Sequence, residues 1–285
     1  MSRNAIIMAA GMSSRFVPLS LETPKALLNV KGEIMVERQI RQLREAGINE
    51  IIIVVGYLKE QFAYLEEKYD VHLIENPYYV KMNNFSTLYV ARQYLKDTFI
   101  CSSDNYFTEN VFLYNTSESY YSAVYEEGKT PEWCLKYDEN GLITGVQVGG
   151  KNAWVMKGAV YLNQGFNEKF IPYLEEAFQM ETLWQNYWED LYMAHMDELD
   201  LYIRKYPDGV IEEFDSIDEL RQFDDKYLTC TGSKVLSTVA EELNCREAEI
   251  HQIIPVKENG IVIGFQFVCG DSQFCYDYDA GLKKM

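Results

Sequence analysis

Residues 51–55 of the stretch EIIIVVG (50–56) are five β-branched side chains in succession, with no alternation of polar and apolar positions. A strand of this kind has no face to give to water. It belongs in a parallel sheet covered by helices on both sides. The neighbouring segments keep the same rhythm. AIIMAA (5–10) is a second buried strand, and 34–47 sets Val36, Ile40 and Leu43 on one helical face before closing on Gly47. A helix over 58–69, a strand at 71–74, a helix over 86–95 and a strand at 98–104 ending in Asp104 follow. This alternation predicts an α/β fold with a doubly wound, mostly parallel sheet, which binds ligands at the carboxyl ends of its strands.

From about residue 120 the pattern changes. YYSAVYEE, EWCLKYD, LITGVQV and AWVMKGAVYL read as antiparallel strands laid onto the sheet, and helices are expected at about 165–180 and 183–196. LDLYIRKY and GVIEEFD read as further strands. Ser216 with Glu219 has the spacing of a capping box opening a helix over 217–228. Beyond it lie a helix over about 234–244 and a hairpin-rich run. The expected organisation is therefore a domain over 1–228 and a small C-terminal α+β appendage over 229–285, too short for a large core of its own.

The formal net charge is −18 in 285 residues. No basic stripe is present to release counterions from a polyanion, which argues against nucleic acid. No apolar run approaches the length of a membrane span, and the N-terminal run flows into a polar loop without a signal-peptide cleavage pattern. The expectation is a cytoplasmic protein with reduced thiols, because its six cysteines are scattered without a CxxC pair. His72, His195 and His251 sit in no recognisable triad and read as structural or surface residues.

An acidic chain that handles phosphate needs local cations. The segment MAAGMSSRFVPLSLETPKALL (8–28) offers them, although it matches neither GxGxxG nor GxxxxGK[ST]. Gly11 lets a ligand approach the backbone, and the amides from Gly11 through Met12, Ser13 and Ser14 can form an anion nest. Arg15 presents a planar fork to phosphate oxygens, Lys25 adds a point charge, and Pro18 and Pro24 stiffen the excursion. A plain surface loop with solvated cations is equally open from composition. Three acids at strand ends, Asp104, Glu213 and Asp215, suit a hard cation such as Mg²⁺. Glu213 and Asp215, two apart on one strand, would share a face; alternatively Asp215 simply complements a helix start.

The loop resembles the signature A-A-G, small residues, Arg, then P…P-K-x-L of nucleotidyltransferases that move a nucleotide from an NTP to a phosphorylated acceptor. The narrower resemblance, over about 4–228, is to bacterial CTP:phosphocholine cytidylyltransferases. It is carried by GINEIIIVVGYLKEQFAYLEEKYDVHLIENPYYVKMNNFSTLY, SSDNYF, TPEWCLKY, NYWED and EEFDSIDEL. The resemblance implies a Rossmann-like nucleotidyltransferase fold and transfer of CMP from CTP to phosphocholine, with Mg²⁺ as cofactor. It implies that Ala9, Ala10, Gly11, Met12, Ser13 and Ser14 hold the triphosphate while Arg15 and Lys25 act on its phosphates. It further implies that Asp104, Glu213 and Asp215 hold the metal and that Asn84 and Ser86 read the base.

For the acceptor, the resemblance implicates Trp133 and Tyr187 as aromatic walls, with Glu189 or Asp190 supplying charge. A quaternary ammonium donates no N–H bond and is held by aromatic faces and carboxylates. Gln185 stands where the family pattern leads one to expect an acid. Other acceptors on the same fold are phosphoethanolamine, 2-aminoethylphosphonate or a sugar 1-phosphate, and a non-catalytic nucleotide sensor is the reading from another class. Residues 249–281 resemble in outline the first strands of a choline-kinase-like fold and stop before any catalytic loop; a packing or dimerisation element is the alternative. The sequence leaves a homo-oligomer open.

Overall fold

The computed structural model describes residues 3–285. The chain divides into two compact units. One comprises residues up to Gly11 with Met35–Glu213, the other Met12–Ile34 with Phe214–Met285. The division falls within the Gly–Arg–Pro loop, and residues 229–285 share a unit with the part of it that begins at Met12.

The first unit is built on β1 (Asn4–Ala9), α1 (Met35–Glu45), β2 (Glu50–Val55), α2 (Tyr64–Tyr69), β3 (His72–Glu75), α3 (Phe85–Ala91) and β4 (Thr98–Ser102). It continues through β5 (Asn105–Phe107), β6 (Tyr120–Tyr137), β7 (Ile143–Leu162), α4 (Gln164–Gln179), α5 (Trp188–Ala194), β8 (Tyr202–Tyr206) and β9 (Ile211–Glu213). Seven strands form one sheet in the order β8-β6-β7-β4-β1-β2-β3. The pairs among β4, β1, β2 and β3 are parallel, as is β8 with β6, while β7 runs antiparallel to both neighbours. The sheet is thus mixed. Ile6, Ile7 and the run Ile51–Val54 are fully buried, as unalternated β-branched strands require.

The amphipathic α1 does more than cover the sheet. Its buried Gln39 Nε2 donates to the carbonyls of Ser102 (2.9 Å) and Asn105 (2.8 Å), and Gln42 Nε2 donates to that of Phe107 (3.0 Å). These bonds clamp the turn that carries Asp104, between β4 and β5. Asp104 therefore lies in a turn two residues past its strand. The four antiparallel segments expected from sequence are two long bulged strands, β6 and β7. The helices expected at 58–69 and 86–95 are shorter, each joined to a 3₁₀ turn.

In the second unit, a 3₁₀ turn (Ser14–Phe16), a short helix (Leu19–Glu22) and the Asn29–Val30/Glu33–Ile34 hairpin share the unit with α6 (Ile217–Phe223), α7 (Lys226–Thr229) and α8 (Lys234–Leu243). The helix expected over 217–228 breaks at Asp224, whose carboxylate accepts from the Lys31 amide at 2.6 Å. A four-stranded antiparallel meander follows: β10 (Ile250–Glu258), β11 (Ile261–Cys269), β12 (Ser272–Asp277) and β13 (Gly281–Lys284). Phe265, Phe267 and Ile250 are buried in this unit, as are Leu236 and Val239 of α8. No helix among the described residues is long and apolar enough to cross a membrane.

Candidate functional site

In the first unit, β9 pairs with β5 and sets Glu213 across from Asn105, one residue from Asp104. Both carboxylates act on Tyr121. Burial pushes the Tyr121 hydroxyl well above its ordinary range, and the negative field of Glu189, Glu213 and Asp104 adds to that. Glu213 is the last residue of β9, so Asp215 lies beyond the strand and shares no strand face with it. The donor set of Asp104 and Glu213, two hard carboxylates, fits Mg²⁺. Among the described residues no group of three or more His, Cys, Asp or Glu forms a ready cage. A cation here would complete its shell with water and substrate phosphate oxygens, as Mg²⁺ habitually does.

Two aromatic residues expected from sequence also meet in this unit. The Trp133 and Tyr187 rings stand nearly perpendicular, with centroids 5.7 Å apart. Tyr187 precedes α5 and is 46% exposed, while Trp188 is fully buried and stacks on Tyr121. The Tyr121 hydroxyl donates to Glu189 Oε1 at 3.2 Å, and Asn84 Nδ2 lies 3.4 Å from Oε2. Burial dominates and pushes the Glu189 carboxyl up to about 7, against the lowering effect of those two donors. Two aromatic faces and a carboxylate of adjustable charge suit an organic cation.

The two acids expected near the acceptor have different duties. Asp190 accepts from the Tyr187 amide at 2.7 Å and caps α5, whereas Glu189 faces Tyr121 and Asn84. Asn84 also accepts from the Trp188 amide at 2.8 Å, so its side-chain amide bonds the start of α5 at both ends. Ser86 is fully buried, its hydroxyl donating to the Asn83 carbonyl and accepting from Asn76. Gln185 donates to the Lys81 carbonyl and its own carbonyl accepts from Asn83, so it knits loops together. The His195 ring stacks on Tyr173, centroids 3.5 Å apart, in keeping with a structural role.

Sequence reasoning missed Tyr121, whose partners lie far away in the chain, and Lys157. The Lys157 ammonium sits 3.3 Å from Glu126. Burial works against its charge, but Glu213, Glu132 and Glu126 outweigh this and raise its pKa, so it stays a cation. The signal was a lone lysine in the apolar strand AWVMKGAVYL.

Ala9 ends β1 in the first unit and Ala10 follows it, both buried, and the Ala10 carbonyl accepts from the Tyr57 amide at 3.1 Å. The ideal Cβ position at Gly11 meets no atom within 4 Å, leaving that backbone open to a ligand. In the second unit, Ser13 adopts a left-handed conformation, and its carbonyl accepts from the Phe16 amide at 2.8 Å, which turns the loop back tightly. Arg15, 72% exposed at its side chain, pairs with Asp215 at 2.8 Å. Lys25 is only 5% exposed and lies 3.9 Å from the same carboxylate and 5.3 Å from the Phe16 ring. Asp215 is thus the counter-ion of both loop cations. Its amide donates to Glu219 at 2.6 Å, so it also marks the start of α6. Lys257 of β10 donates to Ser14 Oγ at 2.9 Å, a third cation on the loop.

Comparison with known proteins places these residues in context. Residues 5–127 match the MobA-like NTP transferase domain. A choline-phosphate cytidylyltransferase of Streptococcus pneumoniae is 36% identical over 221 residues, covering 78% of this chain and 96% of the relative. A 2-aminoethylphosphonate cytidylyltransferase of Lancefieldella rimae is 39% identical over 229 residues, covering 79% and 93%. The solved structure of a Streptococcus pneumoniae CTP:phosphocholine cytidylyltransferase superposes with a TM-score of 0.76 at 36% identity, over 79% of this chain and 99% of that one. At these identities and coverages the chain belongs to this family of cytidylyltransferases and is a nucleotidyltransferase.

Proposed function

We propose that the protein transfers CMP from CTP to phosphocholine, giving CDP-choline and pyrophosphate. The observation that carries the choice of acceptor is the Trp133–Tyr187 pair set beside the Glu189–Tyr121 contact. Aromatic faces attract a trimethylammonium through its charge and its methyl surface, with no N–H bond to satisfy. Glu189, ionised on meeting the cation, supplies the countercharge.

The acceptor's phosphate oxygen attacks the α-phosphorus in line and pyrophosphate leaves, a displacement that needs positioning and charge neutralisation, not a covalent nucleophile. Arg15 exchanges its bond to Asp215 for triphosphate oxygens, and the buried Lys25 offers a second positive charge. The backbone from Gly11 to Ser14 adds amides to the same task. Asp104 and Glu213 would hold Mg²⁺, which neutralises phosphate charge when bound.

A second reading, transfer to 2-aminoethylphosphonate, is favoured by the Lancefieldella rimae relative and by the carboxylate in the pocket, which suits a primary ammonium. Pyrophosphate release from CTP and Mg²⁺ with phosphocholine, phosphoethanolamine and 2-aminoethylphosphonate tested in parallel separates the two. Release with phosphocholine above the others supports the proposal. Release with a primary amine alone replaces it by the second reading, and silence with all three contradicts both.

A further inference from the structure

The cations expected from sequence, Arg15 and Lys25, lie in the loop assigned to the nucleotide. The acceptor carries a dianion of its own, and the residues around Tyr121 are predominantly acidic: Asp104, Glu189 and Glu213, with Glu126 and Glu132 farther along β6. A cation held by Asp104 and Glu213 would offset those two acids, but Glu126, Glu132 and Glu189 remain, and an anion entering beside them needs a further positive charge. Lys157 lies among them.

Its placement is built into the sheet. β6 and β7 pair at Tyr121–Val160 and again at Ala123–Met156, so Lys157, Gly158 and Ala159 stand opposite Ser122 alone. A bulge of this kind re-aims the side chains within it. The bulge is pinned at both ends: the Ser122 hydroxyl donates to the Ala159 carbonyl at 2.6 Å, and Asn105 Nδ2 donates to the Lys157 carbonyl at 3.0 Å. Asn105 is the residue next to Asp104 and across from Glu213. The Lys157 side chain is 16% exposed, and Glu126, 3.3 Å away, engages one face of an ammonium that has three N–H donors.

We propose that Lys157 binds the phosphoryl group of the acceptor, an organic phosphate or phosphonate dianion. This rests on the reading of the Trp133–Tyr187–Glu189 pocket as the acceptor's ammonium site, and adds the site for its other end. A simple counter-ion for Glu126 would need neither the bulge nor anchoring to the strand beside Asp104. Lys157 fixes the acceptor at its phosphate while the aromatic pocket fixes it at its nitrogen, so the attacking oxygen has a defined position.

The test compares wild type, Lys157→Met and Lys157→Arg by steady-state kinetics with CTP and phosphocholine, using choline and methylphosphonate as inhibitors that carry only one end of the acceptor. In the wild type, methylphosphonate should compete with the acceptor and not with CTP. In Lys157→Met, KM for phosphocholine should rise about 10- to 100-fold, the loss of a charge-assisted hydrogen bond, while KM for CTP and Ki for choline stay within about twofold. Lys157→Arg should restore part of the loss. An unchanged acceptor KM in Lys157→Met, or a choline Ki that worsens in step with it, overturns the proposal. So does absence of methylphosphonate competition in the wild type, a result that stands even where Lys157→Met fails to fold. Failure of the acceptor reading itself has a different signature: no phosphocholine-dependent pyrophosphate release, and no choline inhibition of wild type.

Discussion

The Glu189 carboxylate accepts from the Tyr121 hydroxyl at 3.2 Å, and Tyr121 in turn lies in the field of Asp104 and Glu213. One tyrosine therefore links the acid that would meet the acceptor's cation to the acids that would meet the metal and phosphates.

This contact has a consequence in pH. Burial holds the Glu189 proton up to about pH 7, and a cation favours the ionised form. Choline is charged at every pH, so its affinity should fall as pH drops below 7, by up to about tenfold per unit. Glu189→Gln should flatten the profile and weaken binding at pH 8. Stability has the opposite slope: the folded state keeps this proton above the ordinary value of 4.5, so stability declines as pH rises from there towards 7. The Gln variant should lose that decline. Calorimetric titration of choline and thermal melts between pH 5 and pH 8 check both, and a pH-independent choline affinity in the wild type would remove Glu189 from the pocket.

Arg15 and Lys25 should separate kinetically. The exposed Arg15 can be removed without harm to folding, and Arg15→Ala should raise KM for CTP about 10- to 100-fold with Tm almost unchanged. Lys25 is buried beside Phe16 and Asp215; Lys25→Ala should lower kcat about 100- to 1000-fold while CTP affinity changes far less. Equal effects of the two variants on KM would argue that both serve ground-state binding alone.

Gly56 supports the end of β1. A Cβ there would lie 2.7 Å from the Ala10 carbonyl oxygen and 2.8 Å from Tyr79 Cδ1. Gly56→Ala should cost about 1–3 kcal/mol and lower Tm measurably, because one of the clashing atoms is backbone. A variant as stable as wild type would show that this junction yields easily.

Glu22 ties the loop segment to the C-terminal helix. Its carboxylate accepts from the Ser233 hydroxyl (2.5 Å) and the Lys234 amide (2.8 Å) at the start of α8. Glu22→Ala should cost about 1–2 kcal/mol through the lost cap. It should also raise KM for CTP a few-fold, because the same segment carries Arg15 and Lys25. A lowered Tm with unaltered CTP kinetics would limit the C-terminal residues to a packing role.

The strand–helix order of the first hundred residues was legible because unbroken β-branched runs and helical spacing report burial directly, as in Ile51–Val55 and in Val36, Ile40 and Leu43. The bulged strands β6 and β7 were not. Their register shifts depend on pairing between residues such as Ser122 and Ala159, which leaves no local mark. The same holds for function. Arg15 and Lys25 stand in a loop whose Gly and Pro residues advertise it, whereas Tyr121 and Lys157 gain their surroundings only when distant strands meet. Asp190 and Glu189 were indistinguishable as neighbours in sequence; the helix start decides, since the residue at its third position turns back to the Tyr187 amide.

The most direct test of the account is the ratio of kcat/KM for phosphocholine to that for phosphoethanolamine, measured for the wild type and for Trp133→Ala. The wild type should prefer phosphocholine by about tenfold or more, and the preference should fall to near parity when the Trp133 face is lost, with CTP kinetics spared. Equal efficiency on the two acceptors in the wild type, or a ratio untouched by Trp133→Ala, would contradict it.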